Sequence, residues 1–301
     1  MDPGAGIVFT LIILEVCIGI FASLHIVFTI LKDVFKGQSM RTGDKIIFSL
    51  SCSNICVSAM VFTLTSASYF SLKLDIYIMV TINALVFYGM TSCSWLTTCL
   101  CFFYFIKITQ LKSSILSLLR KKIEVLIPWM ILVIEAVCLG GSFLSEMTNV
   151  PPQESANVSS AYSFNILEDI SHPGRTISYI GAFVSLLISV VITAQTAMSL
   201  ILHICRKGRN VTPSGSTADM KVQRVVETMV QLLAFYFLLY FLVIAAYCLK
   251  DSISHYEDFF QVVKFAFTPV QSVLLIIGNP RYKEDIRHTM CMCRRVRTLQ
   301  N

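Results

Sequence analysis

Along this chain apolar residues do not recur with the period of a surface helix or a half-buried strand; they continue in long runs, with polar residues gathered between them. Seven runs stand out, at about 7–31, 46–70, 76–106, 125–144, 177–204, 225–249 and 259–277. A hydrocarbon core about 30 Å thick is crossed by about 20 helical residues rising 1.5 Å each. Inside lipid, backbone N–H and C=O groups must be satisfied within the segment, so each run is predicted to be a helix. The pattern therefore predicts an all-α fold, a bundle of seven transmembrane helices forming a single domain over 1–301. The third and fifth runs exceed the minimum length, which tilt or protrusion absorbs. Composition agrees: 55% of the 301 residues are hydrophobic, 14% are charged, and the mean hydropathy is +0.71. Met1 to Gly6 contain no basic residue and the first run is too long for a signal-peptide core. That run is expected to act as the insertion signal and to remain. No internal repeat or low-complexity segment is evident.

Charge sets the expected orientation, because basic loops stay on the cytosolic side. Lys32, Lys36, Arg41 and Lys45 follow the first span; Lys107, Lys112, Arg120, Lys121 and Lys122 follow the third. Arg206, Lys207, Arg209, Lys221 and Arg224 follow the fifth, and Arg281, Lys283, Arg287, Arg294, Arg295 and Arg297 follow the seventh. Only Lys73, Arg175 and Lys250 fall in the opposite loops. The amino terminus is thus expected outside and the carboxyl terminus in the cytosol. Of the two Asn-x-Ser/Thr sequons, Asn157 then faces out and is the expected glycan acceptor, whereas Asn210 faces in. Of the 11 cysteines none lies in an outer loop, so no outer disulfide is expected; Cys205, Cys291 and Cys293 are cytosolic, where acylation is a minor alternative.

Three charged residues, Glu15, Glu135 and Lys264, fall well inside spans, where each is costly and points to a role. Lys264 lies about 8 Å within the seventh span at 1.5 Å per residue. It either snorkels to the outer interface or contacts an acceptor on a ligand; a retinal Schiff base lacks a counter-ion acid in the third span. Glu15 and Glu135 are each expected to turn inward to a polar partner or to be kept neutral by desolvation; Asn54 or Ser23 is the expected partner of Glu15, and Glu135 has no evident one. The five histidines, His25, His172, His203, His255 and His288, are scattered, so no metal set, no cofactor and no intramembrane hydrolase is read. Nothing interleaves basic and exposed aromatic residues as a nucleic-acid surface would. A small-solute transporter stays as a rival class, although matching halves and broken helices are not visible.

Seven spans alone do not fix a function. The end of the third does more: Trp95-Leu96-Thr97-Thr98-Cys99-Leu100-Cys101-Phe102-Phe103-Tyr104-Phe105-Ile106-Lys107-Ile108 resembles the W-x-A-T-x-L-x-x-F-Y-F-x-K-I pattern of type 2 (bitter) taste receptors. Gln271-Ser272 through Asn279-Pro280-Arg281-Tyr282-Lys283 is similar to that family's H-S-x-x-L-I-L-x-N-P-K-L-K. Glu15, Gly19, Ile127-Pro128-Trp129, Ser199-Leu200 with His203, Ser216-Thr217 and Tyr236-Phe237-Leu238 extend the resemblance over nearly the whole chain. Departures are Gln271 for His, Asn54 for Arg, Ser23 for Asn and Ser185 for Pro, with Val86 and Met90 where Trp and Asn are frequent. A vomeronasal type 1-like chemosensory receptor is the nearer alternative.

The resemblance implies a G-protein-coupled receptor of the plasma membrane that binds small, bitter, amphipathic molecules and signals through a gustducin-like or Gi-class heterotrimeric G protein. Its outer cavity would be lined by Val86, Met90, Ile177, Gly181, Tyr236, Leu239, Tyr240, Val243, Gln261 and Lys264, a mostly apolar wall with few polar groups. Packing against neighbouring helices or lipid is the alternative for any single one of them. Coupling and switching would involve Tyr104, Lys107, His203, Lys221, Arg224 and Ser272, at or near the cytosolic crevice. Attraction of the basic residues to membrane lipid is a simpler account of Lys221 and Arg224. Beyond Asn279 as N-cap and Pro280 as first helical residue, Tyr282, Ile286 and Met290 recur every fourth position, which predicts a short amphipathic helix lying on the bilayer.

Overall fold

The computed structural model describes residues 3–72, 74–108, 114–147 and 262–287 without 264, together with single positions between 180 and 242. The described residues form the helices α1 (Pro3–Phe35), α2 (Thr42–Tyr69), α3 (Ile76–Ile108), α4 (Ser114–Met147), α5 (Phe267–Gly278) and the tail helix α6 (280–287). Four of them are long and apolar enough to cross a membrane, over Gly6–Phe35, Thr42–Tyr69, Ile76–Lys107 and Lys121–Met147. They coincide with the first four predicted spans. α5 occupies the carboxyl-terminal part of the seventh; the fifth and sixth lie mostly outside the described residues.

Lipid, rather than water, explains which side chains face out. On α1 the exposed residues Ile7, Leu11, Leu14, Ile18, Phe21, Leu24 and Phe28 recur at three- and four-residue intervals, with Phe21 73% exposed. The opposite face of the same helix buries Ile12, Val16, Ser23, Ile26 and Ile30. In water such a stripe would be an aggregation surface; in a bilayer it is the outer wall of the bundle. α4 shows the same with Val125, Trp129, Leu132, Val133 and Val137 exposed.

Two apolar clusters fill the interior. The larger joins Ile26, Ile30, Leu50, Leu96, Phe103, Ile127, Leu275 and Tyr282 and lies toward the end at which Lys32, Lys107 and Arg281 gather, called here the basic end. The smaller joins Ile12, Val16, Val57, Val61, Val86 and Phe265 toward the other end. α2 packs tightly on α3 at Gly89, where a Cβ would stand 2.1 Å from Val57 Cγ2 and 3.3 Å from the Ser53 carbonyl oxygen.

Three expectations are corrected. First, the helix that carries the fourth span extends beyond the apolar run: α4 begins at Ser114, so 120–122 are helical, and Pro128 lies inside the helix. Basic residues interrupt an apolar run without interrupting a helix that has left the lipid. Second, the seventh run is not one unbroken helix over 259–277. A turn falls at Ala266 before α5 because Pro269 offers no N–H to the carbonyl of Phe265. Third, the bundle covers the described part of the tail stripe. Tyr282 is 0% exposed and belongs to the larger cluster, and Ile286 packs against it; Met290 is outside the described residues.

Candidate functional site

Small polar residues bring the helices together and must then satisfy one another, because no water is available in lipid. A first seam joins four helices. Ser23 of α1 and Ser272 of α5 share a hydrogen bond of 2.8 Å, Asn54 of α2 donates to Ser272 Oγ at 3.1 Å, and Cys93 of α3 donates to Asn54 Oδ1 at 3.1 Å. All four side chains are fully buried. One residue before Ser272, Gln271 donates to Thr97 Oγ1 at 2.9 Å, and one turn along, Ser58 donates to Thr268 at 3.2 Å. The seam corrects another expectation, since Asn54 and Ser23 engage Ser272 and not Glu15. Glu15 stands eight positions before Ser23, about 12 Å along the helix at 1.5 Å per residue, and its Oε2 finds no hydrogen-bond partner among the described residues.

A second seam supplies the partners of Glu135. From α4 its carboxylate accepts from Ser49 of α2 at 2.5 Å on Oε1, and from Tyr88 at 2.7 Å and Ser92 at 2.8 Å, both of α3, on Oε2. Ser92 also shares a 3.2 Å bond with Ser53. One acid thus ties three helices together in the apolar region.

The basic end is charged and aromatic. Tyr104 packs its ring at 5.3 Å, tilted 58°, against Phe103, and Lys107 holds its ammonium 5.5 Å from the centroid of the Phe103 ring. That separation is within cation–π range. Phe103 is buried in the larger cluster and Lys107 is exposed, its ammonium at the rim of the bundle. Asn279 has extended backbone and accepts from the N–H of Arg281 at 3.1 Å, which caps α6 as expected. Arg281 then reaches Asp44 at 3.0 Å and Asp33, while Tyr282 donates to Asp44 at 3.3 Å. Lys32 pairs with Asp285 at 2.7 Å, and Thr29 donates to the other oxygen of that carboxylate at 3.1 Å. The Lys32 hydrogen bond, foremost, holds the Asp285 carboxyl below its ordinary range, so α6 presents it ionised.

A sequence model of the taste receptor protein (TAS2R) family matches residues 1–294. The chain belongs to this family. It is 24% identical to the human taste receptor type 2 member 4 over 296 residues, covering 91% of this chain and 93% of that one. Identity is also 24% to member 140 of Rattus norvegicus (91% and 89% covered) and to member 8 of Pongo pygmaeus (97% of each). Members of the TAS2R family are receptors rather than enzymes, and the matches do not favour the vomeronasal reading or the transporter.

Within this TAS2R the sequence-selected residues separate into groups. Tyr104, Lys107 and Ser272 lie where described above, the first two at the basic end and the last at the centre of the four-helix seam. Val86 is fully buried against Val57, Val61 and Phe265, and Met90 packs against the same cluster. Ile177, Gly181, Tyr236, Leu239, Tyr240, Val243, Gln261 and Lys264 lie outside the described residues, as do His203, Lys221, Arg224 and Asn157. Three departures from the family pattern, Ser23, Asn54 and Gln271, prove to be neighbours across Ser272 and Thr97. Sequence reasoning missed Asp33, Asp44 and Asp285. Their signal was available: they are acids placed among basic residues at helix ends, where an ion-pair partner is close at hand.

Proposed function

We propose that this TAS2R is a seven-span receptor of the plasma membrane, amino terminus outside and tail in the cytosol, that detects small bitter amphipathic molecules and activates a gustducin-like or Gi-class G protein. Family membership over 1–294 carries the reading. The clustering of Lys32, Lys107 and Arg281 at one end of the bundle supports the orientation, since that end is the one retained in the cytosol. The agonist cavity lies between the outer halves of the third, fifth, sixth and seventh spans. Val86 and Met90 contribute its floor on α3, and Tyr236, Tyr240, Gln261 and Lys264 supply the polar and aromatic contacts, joined by Ile177, Gly181, Leu239 and Val243. Tyr104 and Lys107, with His203, Lys221 and Arg224, border the crevice that receives the G-protein tail, and Ser272 joins the spans that move between the two states.

Calcium responses to a panel of bitter compounds, in cells carrying a chimeric G protein, test this function. A concentration-dependent response that is absent from untransfected cells is expected. Silence to the whole panel with the receptor at the surface argues against it. Orientation has its own test: the Asn157→Gln protein should lose its glycosidase-sensitive mass and Asn210→Gln should keep it. The reverse pattern would invert the topology.

A further inference from the structure

The tail helix is tied to the rest of the receptor by one arginine held between two carboxylates. Arg281 donates from Nη1 to Asp44 at 3.0 Å and from Nη2 to Asp33. Asp33 ends α1 and Asp44 begins α2, so the planar guanidinium cross-links three segments, which a compact ammonium could not do with the same geometry. The three side chains are 29%, 27% and 13% exposed, which shields them from the screening that makes open surface pairs weak. The next tail residue, Tyr282, is fully buried and gives its hydroxyl to the other oxygen of Asp44, while its carbonyl oxygen accepts from His25 Nε2 at 3.2 Å. Asp44 therefore receives consecutive tail residues on both of its oxygens.

The residue preceding Asp44 lies against the exit of α3. A Cβ at Gly43 would stand 3.2 Å from Phe103 Cε1 and 3.8 Å from the Tyr104 hydroxyl. From this continuity we propose that Asp44 is a positioning residue: clasped by Arg281 and Tyr282, it fixes the start of α2 against Phe103 and Tyr104 and so makes the tail helix a determinant of how Tyr104 is presented to the G protein. The proposal rests on the coupling role given to Tyr104 above. Arg281 cannot be replaced by lysine without loss, because one ammonium holds one carboxylate of the pair well and leaves the other.

Two readouts on the full-length receptor test it. Hydrogen–deuterium exchange over 281–287, in lipid nanodiscs, reports the clasp; agonist-evoked signalling per receptor at the cell surface reports coupling. Asp44→Asn and Arg281→Gln should each raise exchange by about fivefold or more, as expected when charge-assisted bonds to a short helix are lost, with Arg281→Lys between them and the parent. Both should lower maximal signalling, and Asp44→Asn should add little to the defect of Tyr104→Ala, because the two act through one path. Unchanged exchange in both variants overturns the clasp. Raised exchange with full signalling, in a receptor where Tyr104→Ala is defective, overturns the positioning role alone. Normal signalling by Tyr104→Ala overturns the coupling role of Tyr104, and with it the link from tail to coupling.

Discussion

Tyr88 donates its hydroxyl to Oε2 of Glu135 across 2.7 Å, binding α3 to α4 in the middle of an otherwise apolar contact. Ser92 shares that oxygen and Ser49 takes the other, so the carboxylate is held from two helices. Single hydrogen bonds within membranes are worth about 0.6 kcal/mol on average, whereas stranding several partners of a charged group costs more. Glu135→Ala is expected to destabilise the purified receptor by about 2 kcal/mol and Tyr88→Phe by about 1 kcal/mol or less. Thermal unfolding in detergent measures both, and an unaltered Glu135→Ala transition contradicts the seam.

At Gly89 the constraint is steric. The added methyl of Gly89→Ala would meet Val57 Cγ2 at 2.1 Å, and Val57, branched at Cβ, has little freedom to turn aside. Overpacking of this kind costs about 1–3 kcal/mol. The Gly89→Ala/Val57→Ala receptor should be more stable than Gly89→Ala alone, although Val57→Ala by itself leaves a cavity. A double variant no better than the single would show that α2 and α3 are not this close.

Ser272 is the shared partner of Ser23 and Asn54, both of which are fully buried. Ser272→Ala leaves each short of a partner and is expected to cost about 1–3 kcal/mol. In a double-mutant cycle Ser23→Ala should cost much less on the Ser272→Ala background than on the parent. Strictly additive melting shifts would separate the two residues.

Tyr104 and Lys107 occupy the basic end, both close to the Phe103 ring. Tyr104→Ala or Lys107→Ala is expected to reduce agonist-evoked signalling severalfold at equal surface expression, a loss typical of hot-spot contacts in an interface. Full signalling from both variants removes them from the coupling surface.

The first three spans could be read to within a few residues because a bilayer imposes length and hydropathy together, and few other contexts demand 25 consecutive apolar positions. Hydropathy reports the solvent around a helix and not its hydrogen bonds, so α4 could not be followed past Lys121 and Lys122 into water. For the same reason the stripe of Tyr282 and Ile286 signalled an apolar surface without saying whether lipid or the bundle would cover it. The partners of Glu135 were hidden by distance: Ser49, Tyr88 and Ser92 stand 86, 47 and 43 positions away on two other helices. Glu15 shows the converse error, a plausible pairing chosen without knowing the level at which each helix meets the next. The N-cap at Asn279 was legible because it is local.

The most direct test is nucleotide exchange on a purified Gi-class heterotrimer catalysed by the purified receptor in nanodiscs, using an agonist found in the cellular screen. The account predicts agonist-dependent acceleration that Tyr104→Ala diminishes. No acceleration above receptor-free nanodiscs, from protein that is folded and binds the agonist, would contradict it.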